Sequence, residues 1–334
     1  MRPVSGWRRI GLYVVLTLVG LVMLFPFAVV AGSSLKARDD IFRYPPRILP
    51  HAQATAEVGG DEVPLFRIDG EVRGLVEGIG GGEGRFALPD DPADTVTATI
   101  RTAEEVEDVT ARPANYTEVL DQQALGRSLS NTVLVTVLVV VGTVLTSLLG
   151  GYAFARIRFP GRDALFLVYI GSIMVPFVIL IVPLYQVMVA LGWVDSLAAL
   201  VFPFVFNAYG TFLIRQFFVS IPVELEEAAV IDGASRWTIL WRIFVPLSTP
   251  AIATLATFMF LYAWNSFVWP FIVINAGNTE NHVLTLSLQQ LGGRAADTPN
   301  LIFAGVMIAI AVPVTVFVLA QRYFVENVAT SGIK

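Results

Sequence analysis

The chain of 334 residues contains no cysteine, two histidines and two lysines. Without cysteine it has no disulfides, no thiolate chemistry and no cysteine metal site. Its histidines, His51 and His282, lie far apart in the sequence, so we expect no metal site and no catalytic residue. Neither Lys36 nor Lys334 belongs to a glycine-rich phosphate loop of the form GxxxxGK, and the chain is therefore predicted not to hydrolyse ATP itself.

Charge is also scarce. Only 15% of the residues are charged, 55% are hydrophobic and the mean hydropathy is +0.69, whereas soluble domains carry about 25% charged residues. Six apolar segments are long enough to cross the hydrocarbon layer, which takes about 20 helical residues. We predict an all-α polytopic membrane protein with six transmembrane helices, at Ile10–Ala31, Ser128–Phe154, Ala164–Leu191, Leu197–Ile214, Leu247–Ile274 and Leu301–Ala320.

None of the six segments contains Asp, Glu, Lys, Arg or His. Proton relays need ionisable groups inside the membrane, so coupling to protons is disfavoured. A sodium symporter can use backbone and hydroxyl oxygens instead, and the lack of charge alone does not exclude one. Prolines in the third and fifth segments predict kinks or local breaks at Pro176, Pro183 and Pro270.

Arginines flank the segments asymmetrically, and such residues collect on the cytoplasmic side of membrane proteins. Three groups mark that side: Arg2, Arg8 and Arg9; Arg156, Arg158 and Arg162; Arg215, Arg236 and Arg242. By contrast, residues 192–196 contain no Lys or Arg and residues 275–300 contain only Arg294. An even number of crossings places every arginine-rich flank on the cytoplasmic side. We therefore predict that both termini are cytoplasmic, in a bacterial or archaeal cell membrane.

The first apolar segment has a second interpretation, because Val29 and Ala31 resemble the small residues of a signal-peptidase site. Signal peptides have an apolar stretch of about 7–15 residues, and Ile10–Ala31 is longer. We therefore expect residues 1–32 to be a cytoplasmic N-terminus followed by a retained first helix.

Residues 33–127 are predicted to form an extracytoplasmic loop rich in acidic residues. Apolar and polar residues alternate over Val63–Val76 and Thr95–Arg101, which predicts strands, and the glycines of residues 78–84 predict a turn. We expect a small β-rich insertion at about residues 50–110. Either it helps to dock a solute-binding protein or to cover the entrance, or it is a tolerated addition.

Residues 220–246 form a polar, helix-forming segment between the fourth and fifth spans. Pro222 allows a helix to begin, and Leu225, Ala229 and Asp232 then share one face. Gly233 interrupts this helix, at a turn that a side chain would obstruct. The apolar residues of a second amphipathic helix recur at Trp237, Leu240 and Ile243 or Phe244, before Pro246.

The spacing in this segment is EAA, three residues, Gly, nine residues, Ile, one residue, a hydrophobic residue and Pro. It resembles the EAA loop of ABC-importer permeases, and departs from it only in Val245, where the family usually has Leu. In that family the loop is a cytoplasmic coupling helix that sits in a cleft of the ATP-hydrolysing subunit. The resemblance implies ATPase coupling by Glu227, Ala228, Ala229, Asp232, Gly233, Ile243 and Pro246.

A membrane-surface amphipathic helix is the alternative interpretation of this segment. Such helices usually carry Lys or Arg on the polar face, whereas this one begins with Glu224, Glu226 and Glu227. The acidic face therefore favours a protein partner.

Further motifs resemble the carbohydrate branch of this family, and the maltose-type second permease subunit in particular. They are Asn131, Gly151–Arg156, Arg158–Gly161, Val182–Tyr185, Trp264–Pro270, Gln321–Phe324 and Ser331–Lys334. Residues 128–325 would be a five-helix permease core, and residues 326–334 a cytoplasmic tail.

The resemblance implies a non-catalytic subunit that couples ATPase closure to alternating access for oligosaccharides or related sugars. Its partners would be a second permease subunit, two ATP-binding subunits, an extracytoplasmic solute-binding protein, the sugar and membrane lipid, with no nucleic acid. The ATP-binding subunits would use ATP and Mg, and this chain would bind no cofactor. The alternatives are a permease for polyamine, phosphate or another non-sugar solute, and a membrane receptor with an external sensing domain.

Sugar recognition uses aromatic faces and amide or hydroxyl groups, and polar groups within spans face the protein interior. Intramembrane Asn and Gln also join helices to one another, which is the structural alternative for each candidate. The substrate-pathway candidates are Tyr185, Gln186, Asn207, Tyr209, Tyr262, Trp264 and Asn265.

Overall fold

The computed structural model describes residues 6–122, 125–293 and 297–331, so Arg2, Arg294 and Lys334 lie outside the described residues. The described residues form two compact units. One unit comprises the described parts of Met1–Val119 and Arg294–Met307, and the other those of Leu120–Gly293 and Ile308–Lys334.

The first unit begins with the apolar helix α1, Gly6–Ser34, followed by the single turn α2, Arg38–Ile41. Eight strands come next: β1 His51–Gln53, β2 Thr55–Val58, β3 Asp61–Ile68, β4 Glu71–Gly80, β5 Glu83–Ala87, β6 Thr95–Thr99, β7 Glu104–Glu105 and β8 Glu107–Val109. Helix α3, Ala114–Gln122, follows the strands and contributes residues to both units.

The strands confirm the predicted β-rich insertion. A six-stranded antiparallel sheet has the order β2-β3-β4-β5-β6, with β7 also paired to β3. The fully buried ring of Phe86 packs edge-on against Phe66, with the ring centroids 5.4 Å apart. Such an aromatic pair contributes about 0.5–1.5 kcal/mol beyond its area burial.

The insertion closes on itself where it leaves the rest of the unit. Strands β1 and β8 pair with His51 opposite Val109, and the amide of Thr110 donates to the carbonyl of Pro50 at 3.2 Å. Arg43 pairs with Glu105 and Glu107, and Arg47 also pairs with Glu107. The two ends of the insertion are therefore held side by side.

A buried amide fixes the C-terminal end of α1. The side-chain nitrogen of Asn115 donates to the carbonyls of Ser34 at 2.9 Å and Lys36 at 2.8 Å. Its side-chain oxygen accepts from Asn300 at 2.9 Å. Asn115 is fully buried, so these hydrogen bonds are shielded from water.

The second unit is helical. Its helices are α4 Leu125–Arg156, α5 Arg162–Gly171, α6 Phe177–Leu191, α7 Ala198–Val201, α8 Ala208–Ser220, α9 Val223–Ile231, α10 Arg236–Ile239, α11 Val245–Leu247, α12 Thr249–Trp264, α13 Val268–Val273 and α14 Leu284–Gly292. A π-helical turn, Leu240–Phe244, joins α10 to α11. The last helix, α15, runs from Pro299 to Ser331 and contributes to both units.

Among the described residues, three helices are long and apolar enough to cross a membrane: Trp7–Ser34, Leu125–Arg156 and Pro299–Gln321. Two bent pairs bring the count to as many as five, Arg162–Met174 with Phe177–Leu191, bent by 103°, and Arg236–Leu247 with Thr249–Trp264, bent by 79°. Pro176 stands at the first bend, as the sequence predicts.

The fourth predicted segment, Leu197–Ile214, is not one continuous helix. It is divided into α7 and α8, and residues 202–207 lie between them. The side chain of Asn207 accepts a hydrogen bond from the amide of Gly210 at 3.0 Å and so begins α8. Pro203, two residues after the end of α7, has no amide hydrogen to continue that helix.

Candidate functional site

The polar segment forms a helix, a tight turn and a second helix. The first helix, α9, follows Pro222, whose extended backbone precedes the first helical residue. None of the nine residues of α9, all of which the structure describes, is buried. Leu225, Ala229 and Asp232 share one face of the helix, and Ala229 packs against the apolar core of its unit. Most of α9 is therefore surface.

The turn after α9 is a Schellman motif. The amide of Gly233 donates to the carbonyl of Val230 at 3.0 Å, and the amide of Ala234 to that of Ala229 at 2.9 Å. Gly233 has φ 79°, a left-handed conformation that glycine adopts without strain. A Cβ atom at this position meets nothing within 4 Å. The left-handed backbone conformation of the turn is therefore the reason for glycine at this position.

The second helix begins at Ser235, whose hydroxyl accepts from the amide of Thr238 at 3.2 Å. It buries Ile239, Leu240 and Phe244, whereas Trp237 is 63% exposed. The prediction that these residues form a buried apolar face is correct for Leu240 and Phe244 and wrong for Trp237. The π-helical turn comes after Trp237 and accounts for Phe244, because residues five apart, such as Ile239 and Phe244, share a face in it.

Apolar and acidic side chains alternate on the exposed surface of α9. Ile231 is 86% exposed and Val230 58% exposed, and both lie near the exposed carboxylate of Glu227. An open cleft beside them is lined by Ala155, Arg156, Arg158, Arg162, Val223, Glu226, Glu227, Val230 and Ile231. The cleft can receive a partner that offers both an apolar patch and complementary charge.

The other predicted coupling residues have distinct environments. Ala228 and Asp232 are exposed, and Asp232 occupies the C-terminal cap of α9. Ile243 packs against the core. Pro246 lies in the short helix α11 and is exposed. The motif thus combines residues that shape the segment with residues that remain available at its surface.

Three substrate-pathway candidates have structural partners. The indole nitrogen of Trp264 donates to the carbonyl of Ala309 at 3.0 Å, and the side chain is buried. The side-chain nitrogen of Asn265 donates to the carbonyl of Leu261 at 2.8 Å, which closes the end of α12. Asn207 caps α8.

The other candidates differ in exposure. Tyr262 is half-exposed and contacts Phe204, with the ring centroids 5.6 Å apart. Tyr262 and Trp264 line one cavity of about 20 Å³, enough for about one water molecule. Tyr185 packs against the core, while Gln186 and Tyr209 are exposed.

A polar cluster that the sequence did not predict holds residues 275–282. The carboxylate of Asp195 accepts from the amide of Asn275 and from the side chain of Asn278, both at 2.9 Å. Asn281 donates to the backbone carbonyl of Asp195 at 2.7 Å. Asp195 has a left-handed φ of 63°, which Asp tolerates in turns, and no sequence motif marks its partners.

The profile of the family described as "Binding-protein-dependent transport system inner membrane component" matches residues 142–330, which is more than half of the chain and includes the whole polar segment. The chain belongs to this family. It is a transport subunit of the bacterial inner membrane and not an enzyme, because ATP is hydrolysed in separate subunits of such importers.

Relatives of this inner membrane component are transport permeases. It is 37% identical over 221 residues to the sn-glycerol-3-phosphate transport system permease protein UgpE of Rhizobium meliloti (strain 1021), covering 64% of this chain and 78% of the relative. It is 33% identical over 204 residues to the arabinooligosaccharides transport system permease protein AraQ of Halalkalibacterium halodurans, covering 61% and 72%.

Its fold also resembles a chain in the crystal structure of a bacterial ABC transporter involved in the import of the acidic polysaccharide alginate. The TM-score is 0.68 at 20% identity, and the match covers 97% of this chain and 100% of the other. The likeness supports a shared fold and leaves the solute to be argued from the residues.

Proposed function

We propose that this inner membrane component forms a heterodimer with a second permease subunit and imports oligosaccharides or related sugars, with residues 220–246 as its ATPase-docking element. The observation that carries the docking assignment is α9 itself. It is a regular helix, closed by a Schellman motif, that exposes Val230 and Ile231 to solvent. Exposed apolar side chains rimmed by charge are typical of protein interfaces.

The arginine distribution supports six crossings with both termini in the cytoplasm. The broken pair α7 and α8 then supplies the fourth crossing, because polar side chains satisfy the backbone at the break. This orientation places α9 on the side of the membrane where ATP is present. The ATP-binding subunits supply ATP and Mg, and this chain supplies the surface on which they act.

The proposed mechanism is alternating access. Closure of two ATP-binding subunits on ATP moves the docked residues 220–246, and the attached helices reorient around a path formed with the second permease subunit. Differential contacts of the ATP-binding subunits with the two states provide the driving force. Hydrolysis then resets the arrangement.

A sugar is favoured over an anion by what the apolar segments contain. They carry tyrosine, tryptophan, amide and hydroxyl side chains but no Lys or Arg, so this chain offers stacking and neutral hydrogen bonds to a solute. The names of two relatives include sn-glycerol-3-phosphate and arabinooligosaccharides, respectively. Competition between labelled neutral oligosaccharides and glycerol 3-phosphate for uptake separates the two classes, and preferential uptake of the phosphate would overturn the sugar assignment.

Two glycines provide a matched test of the docking element. Gly233 and Gly192 both follow a helix, both have positive φ and both have open space around the missing Cβ. Substituting Ala at either costs roughly 1 kcal/mol of backbone strain. In proteoliposomes with all subunits, Gly233→Ala is expected to reduce uptake and binding-protein-stimulated ATP hydrolysis, and Gly192→Ala to leave the stimulation largely intact. Equal losses in both variants would contradict the assignment.

A further inference from the structure

Arg156, the last residue of α4, joins three segments of its unit. Its side chain is 11% exposed. The terminal nitrogen Nη2 donates to the carbonyl of Phe218 at 2.6 Å and also to that of Ile221. These carbonyls lie at the end of α8, where, among the described residues, only the amide of Ile221 still donates to the carbonyl of Phe218, at 3.3 Å. A cation at the C-terminal end of a helix is favoured by its dipole as well.

The same guanidinium reaches the polar segment. Its other terminal nitrogen, Nη1, lies 3.7 Å from a carboxylate oxygen of Glu226, in the one ion pair that α9 makes with the described residues. Its central carbon lies 5.0 Å from the ring centroid of Phe244, in the π-helical turn. Low exposure strengthens these charged contacts relative to those at a wet surface.

Phe244 continues the connection into the core. Its ring centroid lies 5.3 Å from that of Tyr152 on α4 and 5.1 Å from that of Phe218 on α8. Phe244 and Phe218 are fully buried. A displacement of the π-helical turn is thereby opposed by close-packed rings, because buried side chains have little free volume to absorb it.

Arg215 on α8 provides a natural comparison. Its Nε donates to the carbonyl of Phe154 at 3.2 Å, and its central carbon lies 4.1 Å from the ring centroid of Phe166. Each arginine therefore binds a backbone carbonyl near the end of the other's helix. Among the described residues, no hydrogen bond, ion pair or ring contact joins Arg215 to α9.

We infer that Arg156 is the positioning residue that transmits movement of α9 to the ends of α4 and α8; this inference rests on the proposed docking function of α9. The planar guanidinium is suited to the role because it donates in several fixed directions at once. A lysine ammonium is a single point charge and does not reproduce this fork. Arg215 holds α4 and α8 together without receiving the movement.

The test uses the complete transporter in proteoliposomes, with the second permease, the ATP-binding subunits and the binding protein. Four variants are compared: Arg156→Gln, Arg156→Lys, Glu226→Gln and Arg215→Gln. Co-purification of the ATP-binding subunits, ATP hydrolysed and solute taken up are measured for each. The decisive quantity is the ratio of ATP hydrolysed to solute transported, because a loss of folded protein alone does not change it.

Arg156→Gln is expected to retain the ATP-binding subunits and to raise this ratio by roughly fivefold or more, the scale of a typical coupling between sites. Arg156→Lys should restore the ratio in part. Glu226→Gln, which removes the α9 contact and leaves both carbonyl bonds, should raise the ratio as well. Arg215→Gln should lower the yield or thermal stability with an unchanged ratio.

Two outcomes would overturn the inference. An unchanged ratio in Glu226→Gln and in whichever Arg156 variants fold would show that Arg156 is a structural cap. An equal rise in the ratio for Arg215→Gln would show that the contact with α9 is not what matters. If α9 does not dock the ATP-binding subunits, Gly233→Ala and Gly192→Ala behave alike, which separates a failure of the docking assignment from a failure of this inference.

Discussion

The insertion of residues 51–109 buries Phe66 and Phe86 within its own sheet, whereas α9 buries none of its nine described residues. Both regions are short and lie outside the apolar helices in the predicted topology. The insertion has a core and a closed neck, so its stability comes from contacts within itself. The polar segment, residues 220–246, instead exposes Val230 and Ile231, and it is held by Arg156, by Ala229 and by the buried side of its second helix.

This difference indicates what each region requires. A region with its own core tolerates changes elsewhere in the chain, and its loss affects other regions little. An exposed helix with apolar side chains acquires its partners from another protein. The insertion is therefore expected to be separable from transport coupling, and α9 is not.

The largest effect is expected from charge reversal on α9. Glu227→Lys places a cation where we propose that the ATP-binding subunit offers a basic residue, and loss of such a charge pair costs about 2–5 kcal/mol of binding. Co-purification of the ATP-binding subunits should fall by roughly 30-fold or more. Glu224→Lys is the control, because it makes the same change in the first turn of the helix; equal losses would indicate a general effect of charge.

An effect of similar size on local stability, but a much smaller one on assembly with the ATP-binding subunits, is expected from Phe86→Ala. Removing a fully buried phenylalanine costs about 3–5 kcal/mol of local stability. Hydrogen exchange of the amides in β3, β4 and β5 should accelerate strongly, while co-purification of the ATP-binding subunits stays at the wild-type level. Val76→Ala, at a half-exposed position of β4, should accelerate exchange much less. Loss of the ATP-binding subunits in Phe86→Ala would contradict the separation of the two regions.

The pH dependence of the insertion should be smaller still. The hydrogen bond from Arg47 holds the pKa of Glu107 below its ordinary value, against the opposing effect of partial burial. Because the folded state has the lower pKa, this contribution to stability is complete above the ordinary value of about 4.3 and is lost as the pH falls through the folded pKa. In the wild type, hydrogen exchange corrected for intrinsic rates should show this loss of stability at low pH. Glu107→Gln should abolish the part of the pH dependence that comes from Glu107.

The smallest effect is expected from deleting the insertion. Joining Pro50 to Thr110 uses ends that are already hydrogen-bonded, so only a short linker is needed. The ATP-binding subunits should co-purify at the wild-type level. Uptake with the binding protein present then distinguishes the two roles considered for the insertion. Unaltered uptake would identify it as a tolerated addition. Reduced uptake would indicate that it docks the binding protein or covers the entrance.

Much of the insertion and of the polar segment could be predicted because their signals are local. Alternation over residues 63–76 predicts the two strands that are now β3 and β4, and the spacing up to Gly233 predicts the turn after α9. The pairs Gly59-Gly60 and Asp69-Gly70, both with positive φ, form the hairpin turns that divide β2, β3 and β4. They were a further local signal, since such pairs favour two-residue hairpins.

The errors concern effects that sequence spacing does not contain. The π-helical turn at Leu240–Phe244 changes which face is buried, and periodicity assumes a constant 3.6-residue turn. The division of the fourth segment depends on the cap formed by Asn207, and the assignment of this residue to the substrate path stays a prediction. The carbonyl partners of Arg156 arise from tertiary packing of α4 against α8, and from sequence this arginine served only as a topology marker.

The docking of α9 on the cytoplasmic side can be tested most directly because the chain has no cysteine. Ala228→Cys, exposed on α9, and Asp91→Cys, exposed in the insertion, then carry the only thiols of this chain. In complexes whose partner subunits carry suitable cysteines, a short bismaleimide should link Ala228→Cys to an ATP-binding subunit, and an impermeant maleimide should label only Asp91→Cys in intact cells. Linkage of Asp91→Cys to the ATP-binding subunits, or labelling of Ala228→Cys from outside, would contradict the account.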